Sequence, residues 1–373
     1  MIISWQLLYN KKMKNVITAT FNDKREWTRG GDKDALVLMS GGVDSSAAAL
    51  MLKSGGWNIA GLTMVISGDT SACDSASEVC ASLDIPHFSV NIMDGFKQNV
   101  VDAFCREYRE GRTPNPCADC NERIKFGLLL DLAREAWGDD FYAATGHYAR
   151  IVKKDGHAYL ARAANMGKDQ SYFLCGIKRE RVERMLFPLG GVATKDETRR
   201  YVRDAGLPVA ERPESMEICF AGEDDYRRVI AAPSAPGDIV DTSGKVIGRH
   251  NGITNYTIGQ RKGMGIASSE PLYVVSIRRS GNVIVAAGRD EAFSRVVNGR
   301  GLNVLAPEYL DCGTPLFGKV RSQGEPLPCR LRSAGEGEVS VEFAKPIFAP
   351  APGQRLALYS GDGIAVAGAV IYS

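Results

Sequence analysis

The chain has 373 residues with a formal net charge of +2, and its 44% hydrophobic and 24% charged residues are the balance of a globular chain. That length exceeds one compact core, so two or three domains are expected, and no apolar run reaches membrane-spanning length. The charge balance excludes a uniformly basic nucleic-acid binder and leaves any phosphate-binding surface to local clusters of Arg and Lys.

The opening MIISWQLLYNKK sets apolar residues before its lysines, the reverse of a secretory signal, which predicts a cytoplasmic protein without membrane attachment. In that setting the nine cysteines are expected as thiols, ligands or catalytic groups. Residues 1–33 lack periodicity and are locally basic through Lys11, Lys12, Lys14, Lys24, Arg25 and Arg29. They read as a disordered extension, with a basic arm touching nucleic acid as the alternative. From Ala35 the run ALVLM predicts a strand buried on both faces of a parallel sheet. A Gly-Gly turn follows, then a helix over 45–53 ended by Gly55 and Gly56, then a strand over 57–66. Asp74 and Asp94 are expected to cap two further helices that flank a strand at HFSVNI. FYAATGH predicts a strand that ends in a polar turn. This alternation predicts a doubly wound α/β domain over 34–232, with ligands at the turns after Met39 and Thr145. APSAPGD reads as a linker. Short β-rich segments such as LYVVSI and VIVAAG then predict a small mixed β module over 233–295 and a β-barrel over 296–373.

The strongest local motif is SGGVDSS, residues 40–46, set between a buried strand and a helix. Two glycines let the backbone turn tightly and approach an anion, and the helix N-terminus favours negative charge. Ser40, Ser45 and Ser46 offer hydroxyl donors, while Asp44 is expected to act through Mg²⁺. There is no Walker GK[ST]. The loop resembles that of the N-type ATP pyrophosphatases, which hold the β,γ-diphosphate while the α-phosphorus is attacked. The resemblance implies ATP cleavage to AMP and pyrophosphate; a Gly-rich turn without ligand is the plain alternative.

The segment GRTPNPCADCN reads as a loop between a helix ending near Glu110 and one starting near Glu122, stiffened by Pro114 and Pro116. Cys117 and Cys120 stand there at C-x-x-C spacing with Arg109, Arg112, Arg123 and Lys125 nearby, a setting that favours thiolate. Redox or sulfur chemistry, structural thiols and half of a zinc site are the readings, although four-ligand zinc wants a second such pair. Cys219 sits in a short apolar, strand-like run of SMEICFAGEDDYR. Cys80 and Cys105 read as helical packing residues.

An ordered set of motifs then becomes visible: LMSGGVDSS, GLTM, GRTPNPCADCNERIKFG, ATGHYAR, KDQSYFL, FPLG, EICF, PGDIV and YTIGQRKGMGI. From about residue 35 onward the chain resembles the tRNA-specific 2-thiouridylases, which modify the wobble uridine. The resemblance implies that Leu38, Met39, Ser40, Gly41, Gly42, Val43, Asp44, Ser45 and Met64 contact ATP, with Gly146 closing on the nucleotide. Asn115, Pro116 and Cys117 would lie by the target base. Cys120 would be the nucleophile and Cys219 the persulfide carrier. Lys168, Asp169, Gln170, Arg321 and Ser322 would meet tRNA. Two positions depart from the family pattern. Cys117 stands where many relatives have an aspartate proposed as a base, leaving Asp119 and Glu122 as nearby carboxylates, and Ser322 replaces a tyrosine of some relatives. His147 either acts on substrate or holds its turn. Tyr172 and Phe173 read as core, and Arg261 with Lys262 as RNA-backbone contacts.

The implied reaction attaches AMP to the uracil C2 oxygen and replaces that oxygen with persulfide sulfur, giving 2-thiouridine, AMP and pyrophosphate. It ends in a Cys120–Cys219 disulfide, so the implied partners are tRNA, a persulfide sulfur-donor protein and a thiol reductant. A monomer is expected. A rival chemistry places a [4Fe-4S] cluster on Cys117, Cys120 and Cys219. Rival functions are an ATP pyrophosphatase acting on a small molecule and a non-catalytic RNA-binding protein.

Overall fold

The computed structural model describes residues 26–212, 218–221, 226–230 and 235–373. The extension expected over 1–33 lies outside the described residues for 1–25, and so does 232–234 of the expected linker APSAPGD. The chain divides into two compact units, Met1–Asn99 with Cys120–Met216, and Val100–Asp119 with Glu217–Ser373.

The first unit opens before its sheet. Trp27 is buried, with its ring edge-on to Trp137 and Phe141 at centroid distances of 5.9 Å. The chain then runs through β1 (Asp34–Leu38), α1 (Val43–Ser54), β2 (Asn58–Val65), α2 (Ser71–Ser82), β3 (His87–Asn91) and α3 (Met93–Phe96). The excursion α4 (Asp102–Arg109) and α5 (Pro116–Asp119) belongs to the other unit. The first unit resumes with α6 (Leu129–Trp137), β4 (Tyr142–Ala144), a hairpin of β5 (Ala149–Lys154) and β6 (His157–Arg162), α7 (Arg179–Val182), β7 (Met185–Leu186) and α8 (Lys195–Asp204).

Its five-stranded sheet has the order β3-β2-β1-β4-β7, and each neighbouring pair is parallel. Every residue of DALVL in β1 is buried, as a two-sided strand requires. Burial of Leu36 and Leu62 stabilises the sheet by about 1.5–3 kcal/mol each. Ala47, Ala48 and Ala49 are fully buried, so the small side chains of α1 let the helix lie close to the sheet. The strand order reverses between β1 and β4, and this switch point opens a crevice at the carboxyl ends of both strands.

Two expected caps are corrected. Asp74 lies inside the first turn of α2, while the backbone N–H of Ser71 donates to Asp69 Oδ1 at 2.9 Å. Asp94 likewise lies inside α3, whose Met93 N–H donates to Asn91 Oδ1 at 3.1 Å.

In the second unit a four-stranded sheet has the order β10-β11-β8-β9, from β8 (Gly237–Val240), β9 (Val246–His250), β10 (Tyr273–Arg278) and β11 (Val283–Ala287). A closed barrel follows in the order β12-β15-β14-β13-β16-β17. Its strands are β12 (Phe293–Val304), β13 (Leu316–Lys319), β14 (Leu327–Gly335), β15 (Glu338–Phe348), β16 (Arg355–Tyr359) and β17 (Ala365–Ile371). Val297, Leu331, Val341, Phe343, Leu356 and Val366 fill the barrel, with alternate residues facing inward. The fold is thus a doubly wound parallel-sheet domain followed by a small mixed β module and a β-barrel.

Candidate active site

The loop after β1 is closed by its own residues. Ser40 N–H donates to Ser45 Oγ at 3.2 Å, and Ser45 Oγ and Ser46 Oγ donate to the Gly42 carbonyl at 3.0 and 2.9 Å. Both hydroxyl protons therefore close the loop on itself. Gly41 has φ +70°, and a Cβ there would lie 2.6 Å from the Ala72 carbonyl oxygen. Only glycine satisfies both conditions. Gly42 caps α1 without a side-chain hydrogen bond, so the helix presents its first backbone N–H groups and its positive dipole end to the crevice.

The turn after β4 closes on this loop. A Cβ on Gly146 would lie 2.5 Å from the Asp44 backbone carbon and 2.7 Å from Ser45 N. Met39 N–H donates to the Leu62 carbonyl at 2.9 Å, and Met64 lies two residues further along β2, at its carboxyl end. The first unit thus brings together Leu38–Ser45, Met64 and Gly146.

Residues not singled out in the sequence surround Asp44. Lys195 Nζ forms an ion pair with Asp44 Oδ1, and Tyr148 Oη donates to the same oxygen at 3.1 Å while meeting Thr198 Oγ1 at 2.9 Å. Lys195 is mostly buried, and its ammonium lies 5.6 Å from the Tyr148 ring centroid. It is the first residue of α8, a position where the helix dipole disfavours a cation. That mismatch, beside the capping-box pattern of Thr194 and Glu197, was the available signal. Arg212 Nη1 adds a second positive group, donating to the Gly41 carbonyl at 3.3 Å.

His147 sits against Thr145 Oγ1 at 2.8 Å and beside the Phe126 and Phe187 rings. Burial and the nearby Lys125 ammonium hold its pKa well below the usual imidazole value, so it is neutral at physiological pH. Gln170 Oε1 accepts from Tyr148 N–H at 2.9 Å and ties the KDQ turn to this wall. Tyr172 is fully buried in the core.

The expected loop around the C-x-x-C pair is corrected at its end. A helical turn begins at Pro116, not near Glu122, and Cys120–Leu128 is helical with a wider winding and a kink at Gly127. Asn115 Oδ1 accepts from Ala118 N–H at 3.0 Å, so Asn115 caps the turn and Pro116 occupies its first position. Cys120 is buried at 6% exposure, and its helical segment leans through Phe126 on His147. Arg181 donates to the carbonyls of Phe126 and Gly127 at the kink.

In the second unit Asn115 and Pro116 are buried and Cys117 is exposed. Cys219 lies in an exposed turn rather than a strand. That turn is anchored by Phe220, whose ring meets Phe104 of α4 at 5.3 Å, and by Ile218 in the cluster of Phe104, Cys105, Tyr108 and Ile230. The helix that leads into the Cys117 segment is therefore the one on which the Cys219 turn packs. Asp119 forms a buried ion pair with Arg355.

Of the residues expected to meet tRNA, Lys168 is exposed. Asp169 is buried, and its carboxylate receives Arg162 Nε at 3.2 Å and Ser171 Oγ at 2.9 Å. Arg321 is exposed, with its guanidinium donating to the Phe348 and Ala349 carbonyls, and Ser322 is half-buried beside it. Arg261 and Lys262 are exposed on a loop whose Tyr256 and Met264 pack in the small sheet's core.

Among the described residues no three His, Cys, Asp or Glu side chains gather into a metal-holding group, so the [4Fe-4S] expectation finds no support there. All nine cysteines are thiols, with no disulfide among the described residues. Among the described residues, no helix is long and apolar enough to cross a membrane.

Three family models match in chain order. They are the tRNA methyl transferase HUP domain over residues 33–223, the tRNA methyl transferase PRC-barrel domain over 230–287 and the Aminomethyltransferase beta-barrel domain over 306–371. The chain is 42% identical over 352 residues to the tRNA-specific 2-thiouridylase MnmA 1 of Syntrophus aciditrophicus (strain SB), covering 91% of this chain and 92% of that protein. It is 40% identical over 358 residues to the tRNA-specific 2-thiouridylase MnmA of Lachnoclostridium phytofermentans, covering 91% of this chain and 99% of that one.

Proposed function

The chain belongs to the tRNA-specific 2-thiouridylase family, and from that premise we propose that it is an ATP-dependent tRNA-uridine 2-sulfurtransferase acting on the wobble uridine in the cytoplasm. The observation that carries this reading is the phosphate loop at the β1/β4 switch point, where an uncapped helix N-terminus meets the Lys195 ammonium. Such a site suits a polyphosphate. Methyl transfer, named in two of the domain descriptions, has no use for it or for exposed thiols at 117 and 219.

In the proposed reaction the uracil C2 oxygen attacks the α-phosphorus of ATP and displaces pyrophosphate. Backbone N–H groups at the start of α1 and the Lys195 ammonium stabilise the charge that develops on the leaving diphosphate. Asp44, a single carboxylate about one third exposed (33%), would help hold a magnesium ion, whose charge would add to that stabilisation. Cys219 carries a persulfide supplied by a sulfur-donor protein. In one route Cys120 thiolate attacks Cys219 Sγ, releases hydrosulfide and leaves a Cys120–Cys219 disulfide; hydrosulfide then displaces AMP from C2. In the other, the persulfide's terminal sulfur displaces AMP first, and Cys120 thiolate then cleaves the sulfur–sulfur bond. Both routes reduce the sulfane sulfur at the expense of two thiols, which a thiol reductant restores.

Cys219→Ser is expected to lower 2-thiouridine formation to less than about 1/1,000 of the parent rate while tRNA binding stays within twofold. Nucleoside mass spectrometry and a filter-binding titration read the two quantities. Full thiolation by the variant would remove the persulfide carrier from the scheme. Pyrophosphate release that ignores added tRNA would instead favour a small-molecule substrate.

A further inference from the structure

The segment 113–119, which carries Asn115, Pro116 and Cys117, is fastened to the end of the barrel by polar bonds. Thr113 N–H donates to the Pro352 carbonyl at 2.8 Å. Gln354 Nε2 donates to the carbonyls of Thr113 and Pro114 at 2.9 and 3.3 Å. Arg355 Nη2 meets Asp119 Oδ1 at 2.5 Å, and the two side chains are only 5% and 14% exposed. Gly353 has φ +94°, and a Cβ there would lie 2.9 Å from the Thr113 carbonyl carbon, so the two backbones touch only because no side chain intervenes. The barrel side of this join is itself fixed, since Gly353 N–H donates to the Ile371 carbonyl at 2.9 Å and Ile371 N–H to the Gln354 carbonyl at 2.8 Å.

Burying two charges is costly unless they are closely paired in good geometry, and removing one partner leaves the other buried and unpaired. The interior of the barrel is an apolar cluster, and Arg355 is not a member of it although the residue is buried. We propose that Arg355 is a positioning residue: through Asp119 it sets the place of the 113–119 segment, so that the barrel, besides any contact it makes with RNA, aligns the target-base side of the reaction. The carboxylate of this segment is thus used to hold the loop.

The kinetic arm of the test rests on the 2-thiouridylase reading; the exchange arm does not. In full-length Arg355→Met, amide hydrogen exchange at Thr113, Ala118 and Asp119 is expected to rise at least about tenfold while exchange in β14 and β15 stays at the parent rate. With tRNA transcript, ATP and a low-molecular-weight persulfide, kcat for 2-thiouridine is expected to fall about 100-fold, with KM for tRNA and ATP within threefold. Arg355→Lys should recover most of both losses, and Asp119→Asn should reproduce them without adding to Arg355→Met. If Arg355→Met does not fold, Asp119→Asn and Gln354→Ala are read against the same criteria. Parent-like exchange at 113–119 in a folded variant overturns the proposal. So does a loss confined to KM. A parent protein that makes no 2-thiouridine condemns the functional reading but leaves the exchange arm decisive.

Discussion

The loop after β1 and the segment before Cys120 both present backbone and side chains to chemistry, but they are built in different ways. The hydrogen bonds that close the phosphate loop join residues no more than five positions apart. The bonds that hold 113–119 reach residues more than 230 positions away, at Gln354 and Arg355. A locally closed loop tolerates change in the rest of the chain and fails when its own residues change. A remotely held loop fails when its distant anchor is lost, even though every residue of the loop is intact.

The largest effect should come from Lys195, the more buried of two cations that distant segments lend to the local loop. Lys195→Ala is expected to lower kcat for pyrophosphate release about 10²- to 10³-fold, because it removes a charge from the departing diphosphate. Lys195→Arg should restore part of it. Retention of the parent rate would confine the ammonium to pairing with Asp44.

Gly41→Ala tests the local side of the contrast. With φ +70° and the Ala72 carbonyl 2.6 Å from the new Cβ, the variant should be destabilised by about 1–3 kcal/mol and should bind ATP more weakly. Urea melts and an ATP titration read both, and hydrogen exchange at 113–119 should not respond. A matching loss of protection there would join the two loops in one cooperative unit and break the contrast.

The smallest effect concerns His147. Its folded-state pKa is depressed, so below about pH 6.5 the unfolded chain binds a proton that the folded chain refuses. Folding stability is therefore fully present above that pH and falls as pH drops through it. His147→Gln should flatten this part of the profile in urea melts at about pH 7.5 and about pH 5.5. An unchanged slope would place the pH dependence on other groups.

The contrast also marks what was legible in the sequence. The buried run ALVLM, its Gly-Gly turn and the following helix were readable because strand, loop and helix cap are neighbours in the chain. The helical turn at 116 was readable too, from Asn115 as cap and Pro116 at the first position, but Pro114 and Pro116 together suggested only a stiff loop. The hairpin β5-β6 had its signal in Asp155 and Gly156, both at positive φ, a pair suited to a tight reversal. Trp27 was hidden because its burial depends on Trp137 and Phe141, over a hundred residues on. The same distance concealed the Asp44–Lys195 and Asp119–Arg355 pairs, since an ion pair across the fold leaves no spacing pattern in the chain.

The most direct measurement follows the displaced oxygen. A tRNA carrying ¹⁸O at C2 of its wobble uridine is turned over with ATP and a persulfide, and the products are separated by mass spectrometry. Attack of that oxygen on the α-phosphorus predicts one labelled oxygen in AMP for each 2-thiouridine formed, with unlabelled pyrophosphate. Label in pyrophosphate, inorganic phosphate or water, or formation of ADP in place of AMP, would contradict activation of the base as an adenylate.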